Sequence, residues 1–342
     1  MTRRASTLLT GSLLLVALIV LAIFAIPPIG YVALVPGPTF NTLGSSGGKQ
    51  LITIKGAPTS NPTGQLRMLT VGEIDKVNVY DVIRGWFDSD TAVVPAETVN
   101  APGESQQQIN QQNTDDFKQS QSSAITAALR YEGYPVQVVI DSVTAGDPAD
   151  GHLKAGDVVT TVNGKTMLSS QDLATAVQSQ PSGTTLTFGY TRAGVAGTTQ
   201  IKTAAGSDGR PQIGVKLDQK QPSPLDIQFQ LDNVGGPSAG MMFTLGIIDK
   251  LSTTDLTGGK IIAGTGTIDD DGNVGEIGGI QQKMLGAYDA GARYFLAPAG
   301  NCAEALEHQV KGLEMIKVTN LTDALNALAD LRAGKTPPLC TK

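Results

Sequence analysis

Gly235-Gly236-Pro237-Ser238-Ala239-Gly240 is the stretch on which the reading of the chain turns. Pro237 suits the first position of a helix, and the apolar run Met241 to Leu251 reads as that helix continuing, so Ser238 is expected at a helix N-terminus. Unpaired N–H groups and the positive end of the helix dipole stabilise a developing oxyanion there. Ala239 and Gly240 leave room for a substrate backbone. Gly236, Pro237 and Ala239 are thus supporting positions around Ser238; the plainer alternative is a glycine-rich turn that only starts a helix.

A second stretch bears on that choice. Gly278-Gly279-Ile280-Gln281-Gln282-Lys283-Met284-Leu285 opens another helix, with Ile280, Met284, Ala287 and Tyr288 recurring at helical spacing. Lys283 shares the inward stripe, where a lysine is costly unless it is paired or neutral. To act as a base at neutral pH it must lose about three pK units, about 4 kcal/mol, which burial supplies. A serine at a helix N-terminus and a desolvated lysine make a Ser-Lys dyad, in which the neutral amine takes the hydroxyl proton as the serine attacks a carbonyl.

The order of these strings, GGPSAG, then TGTI at 265–268, DDDGNVGEIGG at 269–279 and the lysine at 283, resembles the proteolytic domain of Lon-type proteases over most of residues 223–330. The resemblance implies Ser238 as nucleophile and Lys283 as base. It also implies Thr265, eighteen residues before the lysine, as the hydroxyl that contacts the amine. Thr267 stands where that family usually carries an acidic residue.

At 342 residues the chain has room for two domains with proper cores. The net charge of −6 and the absence of a basic stripe with interleaved aromatics argue against a nucleic-acid partner. After Arg3 and Arg4 no charged residue occurs until Lys49, and Leu8 to Ile26 is almost wholly apolar. As a helix that run is about 28 Å long, enough to cross a bilayer core. The arginines would hold the short end in the cytoplasm and leave the body outside, so a single-pass, extracytoplasmic protein of the cell membrane is expected; a cleaved signal peptide is the alternative. The two cysteines, Cys302 and Cys340, have no metal-ligand spacing. In an oxidising compartment they are expected to bridge, two independent thiols being the alternative.

Gly30 to Gly48, rich in proline, glycine and small polar residues, reads as a linker or extended arm. Strand-like segments follow at Leu51 to Ile54 and Gln65 to Val71, then an amphipathic helix at Val79 to Phe87. Gly103 to Gln121 is dominated by Gln, Asn, Ser and Asp and reads as mobile or as a solvated helix start before a helix from Phe117. From Tyr131 to Leu217 the chain carries strand, turn and helix signals, with Asp147-Pro148-Ala149, Ala155-Gly156-Asp157-Val158-Val159, Val162-Asn163-Gly164-Lys165 and a helix capped by Ser170. This unit is similar to a bacterial PDZ domain. The resemblance implies an extended peptide added beside a helix, with Tyr131, Gly133 and Tyr134 in the carboxylate loop; Pro135 removes one N–H from that loop. A PDZ serving as a rigid spacer is the alternative.

The expected fold class is therefore α+β: a Lon-type proteolytic domain with an inserted PDZ domain, preceded by one transmembrane helix. The expected divisions are a cytoplasmic N-terminus at 1–7, an anchor at 8–28, a linker at 29–50, the first part of the Lon-like domain at 51–130, the PDZ at 131–217, the catalytic part at 218–335 and a tail at 336–342. Only His152 and His308 are available for a histidine triad, and neither is placed near Ser238. No phosphate-loop string and no calcium-loop spacing occur, so no cofactor and no metal are expected. Two functions remain: a membrane-anchored, ATP-independent serine endopeptidase acting on peptides or flexible, unfolded segments, or a catalytically silent PDZ scaffold. Assembly into a homo-oligomer is left open.

Overall fold

The structure, a computed structural model, describes residues 30–75, 77–88, 90–99, 103–134, 137–206, 208–217, 225–231 and 234–341. The expected membrane span at 8–28 lies outside these residues, as does Pro135. Among the described residues no helix is long and apolar enough to cross a membrane.

The first described segment corrects the linker expected at 29–50. Strand β1 (Tyr31–Asn41) is an inner strand of a six-stranded sheet. After it come β2 (Ile52–Lys55), β3 (Gln65–Ile74), α1 (Val79–Phe87), β4 (Ala92–Pro95) and the long α2 (Gln106–Tyr131). Strand β1 pairs antiparallel with β3 from Ala33↔Ile74 to Asn41↔Arg67, and with β4 from Tyr31↔Pro95 to Leu34↔Ala92. Pro36, Gly37 and Pro38, whose composition suggests a linker, fall at a register shift between Pro36 and Thr39. A bulge tolerates prolines, which cannot donate to the ladder.

Helix α2 starts at Gln106, behind a capping box formed by Ser105 and Gln108, so of the two readings of 103–121 the solvated helix start holds. Its first half stays exposed, with amide-to-carboxylate pairs such as Gln111 to Asp115. Burial begins at Phe117 and continues through Ser120, Ala124, Ala127 and Ala128. Polar composition thus marks a solvated face of a helix rather than an unstructured segment.

The middle unit holds β5 (Val138–Val143), β6 (Val158–Val162), α3 (Ser170–Gln178), β7 (Thr185–Arg192), β8 (Val195–Lys202) and β9 (Val215–Leu217). They form a sheet in the order β8-β7-β6-β5-β9, closed over Ile140, Leu153, Leu186 and Phe188. Ser169, not Ser170, caps α3, its side chain accepting from the Asp172 amide. Ser170 instead donates to Asp270 Oδ2 at 2.9 Å, and Arg130 donates to the Asp270 carbonyl at 2.7 Å and to Asp271 Oδ1 at 2.6 Å. The middle unit and the end of α2 are thereby tied to one acidic turn.

The remainder comprises β10 (Asp226–Phe229), α4 (Gly240–Leu251), β11 (Ile261–Gly264), β12 (Thr267–Ile268), β13 (Val274–Gly275), α5 (Ile280–Asp289), β14 (Tyr294–Pro298), α6 (Cys302–Glu307), β15 (Glu314–Val318) and α7 (Leu321–Arg332). The large sheet runs β15-β14-β11-β3-β1-β4, parallel from β15 to β3 and antiparallel beyond. Helix α4, buried along almost its whole length, packs against α2, where the Phe117 and Phe243 rings meet edge to face with centroids 5.7 Å apart. Helix α5 covers the sheet with Ile280, Met284 and Ala287. Cys302 and Cys340 form a disulfide with Cα atoms 5.3 Å apart. It fastens the tail beside β15, where Lys317 N donates to the Pro338 carbonyl and Cys340 N to that of Met315.

Candidate active site

Helix α4 begins at Gly240 with Ala239 as its N-cap, so Pro237 lies three residues ahead of the first helical residue rather than in it. Ser238 sits in the turn that leads into the helix. Three hydrogen bonds from two elements hold this turn. Gly236 N donates to the Asn113 carbonyl at 2.9 Å and Gly266 N to the Ser238 carbonyl at 2.9 Å; Ser120 Oγ donates to the Pro237 carbonyl at 2.9 Å. Helix α2 therefore grips the turn from one side and the chain leaving β11 grips it from the other. Ser238 itself is half-buried.

Thr265, which follows β11, is 1% exposed. Its hydroxyl donates to the Ser238 carbonyl at 3.1 Å and accepts from Lys283 Nζ at 3.2 Å. The amine reaches it from the first turn of α5, whose N-cap Gly279 has φ +68 and ψ 36. A side chain there would be strained and would press on Val71. Lys283 is 3% exposed, and among the described residues no carboxylate pairs with it. Burial pulls its pKa from 10.5 down to about 8. A neutral amine is thus within reach at mildly alkaline pH.

Ser238 and Lys283 line one cleft of about 740 Å³, with Pro237, Ala239 and Gly279. The same cleft is lined by Leu34, the run Met68 to Glu73 of β3, and Val94, Thr98 and Val99. Strand β11 pairs with β3 only from Gln65 to Met68, so the stretch of β3 beyond Met68 borders the cleft with no strand laid against it on that side among the described residues. The contributions of Asn113, Ser120 and this strand edge were not marked in the sequence as site residues. The spacing Asn113, Phe117, Ser120, Ala124 on one helical face is the signal that finds the first two. Among the described residues no His, Cys, Asp and Glu cluster has the makings of a metal site.

Gly133 and Tyr134 stand elsewhere. They line a separate depression with Val158 to Thr160, Met167 and Leu168, and Tyr131 is 54% exposed at the end of α2. The groove beside α3 is formed by Leu173 and Val177 against Pro211 to Val215 and Leu217. The carboxylate loop expected at Tyr131, Gly133 and Tyr134 is therefore not the segment flanking α3. Strand β9, far along the chain, takes the edge of the sheet next to β5 and borders the groove.

Residues 233–330 match the family model of the Lon protease (S16) C-terminal proteolytic domain. Residues 108–203 match that of the PDZ domain. The Lon protease of Phenylobacterium zucineum (strain HLK1) is 39% identical over 102 residues, covering 29% of this chain and 13% of the relative. Lon protease 1 of Sorangium cellulosum (strain So ce56) is 35% identical over 127 residues, covering 36% and 15%. The chain thus spans a small part of the length of these relatives. The PDZ domain of the SdrC-like protein from Listeria monocytogenes is 31% identical over 23% of this chain and 85% of that structure, with a TM-score of 0.23. The protein is a mixed α/β chain carrying a PDZ domain and a Lon-type proteolytic domain.

Proposed function

We propose that this chain is an ATP-independent serine endopeptidase anchored in the membrane through residues 8–28, with its body on the extracytoplasmic side. The observation that carries the catalytic reading is the linked set of Lys283, Thr265 and Ser238: a buried amine without a carboxylate partner among the described residues, bonded to a hydroxyl that is itself bonded to the serine's own carbonyl. In its neutral form Lys283 takes the proton from Ser238 Oγ as that oxygen attacks the scissile carbonyl. Backbone N–H groups beside Ser238 receive the oxyanion. The ammonium then gives its proton to the departing amine, leaving an acyl-enzyme on Ser238. A water, deprotonated by the same lysine, attacks the ester and regenerates the serine. Thr265 holds the amine in line throughout.

The substrate enters as an extended strand along β3 beyond Met68, where backbone hydrogen bonds recognise any sequence and leave side chains to the cleft walls. Peptides and flexible segments of exported proteins meet that requirement; a folded domain does not. The groove between α3 and β9 takes a second extended segment and recruits the client to the cleft.

Incubation of the purified protein with casein or a peptide pool tests the catalytic reading. Turnover lost in both Ser238→Ala and Lys283→Ala is the expected result, and cleavage by Ser238→Ala equal to wild type overturns it, leaving a PDZ scaffold. The anchor is tested by carbonate extraction of membranes and protease treatment of spheroplasts. Release into the soluble fraction, or a body shielded from added protease, overturns that part.

A further inference from the structure

Helix α1 lies between β3 and β4 and packs one side against the sheet through Val82, which joins Ala33, Val77 and Val93 in a small cluster. The other side is apolar as well. Tyr80, Ile83 and Phe87, spaced three and four residues apart on one helical face, are 47%, 43% and 88% exposed. A short helix that is apolar on both sides has its second side covered by something. Tyr31, the first residue of β1, and Ile74, the last of β3, are exposed at the same end of the sheet.

The position of this patch names its occupant. Strand β1 runs directly on from the apolar stretch Leu8 to Ile26, with three residues between Ile26 and Gly30. Extended chain spans at most about 3.6 Å per residue, so Gly30 lies within about 15 Å of the end of that stretch. Strand β4 is paired with the first residues of β1, and α1 packs on both. We propose that the face of α1 bearing Tyr80, Ile83 and Phe87 docks into the interfacial layer of the lipid bilayer. The proposal rests on the membrane anchor proposed above. An apolar helix lying in the interface binds through buried area, and tyrosine at its margin suits the headgroup level. Docking has a consequence for the substrate. Strand β4 and the turn after it follow α1 directly and supply Val94, Thr98 and Val99 to the catalytic cleft. One wall of the cleft is thus held at the membrane surface, and the segments within its reach are the membrane-proximal parts of exported or membrane-bound proteins.

Trp86, the single tryptophan of the chain, belongs to α1, so tryptophan emission reports on this helix alone. The full chain is reconstituted into phosphatidylcholine vesicles with and without bromine on the acyl chains, and vesicle flotation is scored separately. The expected result is loss of Trp86 emission in the brominated vesicles, recovered in the Ile83→Asp, Phe87→Asp double variant, which still hydrolyses a soluble peptide at the wild-type rate. Protein that floats with the vesicles while its emission is the same in both lipids overturns the docking and leaves the anchor standing. Protein that does not float overturns the anchor and the docking together. Unquenched emission that shifts to the blue as protein concentration rises identifies a second copy as the occupant, and also overturns the proposal.

Discussion

Lys283 Nζ lies 3.2 Å from Thr265 Oγ1, and that same hydroxyl donates to the backbone carbonyl of Ser238. The amine is therefore positioned through the peptide group of Ser238, the residue proposed above as the nucleophile. A shift of the Ser238 turn moves the hydroxyl that holds the Lys283 amine, so the proposed nucleophile and base move together. Thr265 is part of the backbone mechanics of the site as well as a polar neighbour.

The first prediction concerns pH. With the Lys283 pKa lowered by burial to about 8, kcat/KM for a peptide rises about tenfold per pH unit below 8 and levels off above it. The folded value lies below 10.5, so between the two the unfolded chain binds the proton more tightly. Stability from this group is therefore lowest below pH 8 and recovers as pH rises from 8 towards 10.5. The shift corresponds to about 3 kcal/mol. Lys283→Met is expected to lose roughly 10²–10⁴ in rate while raising the thermal midpoint at pH 7. A variant with unchanged activity, or with a lower midpoint at pH 7, contradicts this account of the lysine.

The glycines flanking Ser238 separate two kinds of constraint. Gly236 has φ +80 and, among the described residues, open space where a Cβ would project, whereas at Gly240 a Cβ would stand 2.9 Å from Ile268 Cγ2 and from Ser120 Oγ. Gly236→Ala is expected to cost about 1–2 kcal/mol through backbone strain. Gly240→Ala is expected to cost about 1–3 kcal/mol through crowding, and to slow turnover because it pushes on the helix that grips the Ser238 turn. Adding Ser120→Ala should relieve part of the Gly240→Ala loss and none of the Gly236→Ala loss. Chemical denaturation of the single and paired variants checks the pattern.

What can be read along the chain is short-range. Pro237, Ser238 and the glycines around them, the inward stripe of Ile280, Lys283 and Met284, and the helix at 79–87 are patterns contained within a dozen residues. Two features escape such reading, and a third, the polar half of α2, is left by it between a mobile segment and a solvated helix. Strand β1 carries two prolines and a glycine, and only its pairing with β3 and β4 turns that composition into a bulge. The polar half of α2 is a helix because its capping box and its buried far half make it one. The groove beside α3 is completed by residues 211–217, and an edge strand brought in from the far end of a unit leaves no periodic mark near the helix it serves.

The disulfide offers a third test, because Cys302 follows Asn301, whose side chain clamps both backbone groups of Ile277 at 2.9 Å and 2.8 Å just before the glycines that open α5. A sequence separation of 38 gives a loop-closure contribution of about 4 kcal/mol as an upper figure. The Cys302→Ala, Cys340→Ala double variant is expected to unfold about 2–4 kcal/mol more easily. Its kcat at 25 °C should change little, since the clamp at Asn301 is made by the backbone and side chains of the same body. Equal stability of oxidised, reduced and doubly substituted protein would remove the bridge from the account of the tail.

Asp249 sits near the far end of α4 from Ser238, fully buried, with Oδ1 accepting from the Leu256 amide at 3.0 Å and Oδ2 without a hydrogen-bond partner among the described residues. Burial is the largest cause lifting its pKa from 3.8 to about 6, the Leu256 bond opposing it. The folded chain therefore binds this proton more tightly than the unfolded chain between pH 3.8 and 6. Stability from the group is fully present below that window and is lost as pH rises through 6. Asp249→Asn keeps the acceptor for Leu256 and removes the charge, at the cost of placing an amide where Oδ2 stood. It is expected to stabilise the protein by roughly 1–2 kcal/mol at pH 7.5 and to give no gain at pH 4. Denaturation of both proteins across that range isolates the group, since every other titration is common to the two. A difference that does not change with pH would mean that the carboxylate finds compensation inside α4 and that its burial carries no electrostatic cost.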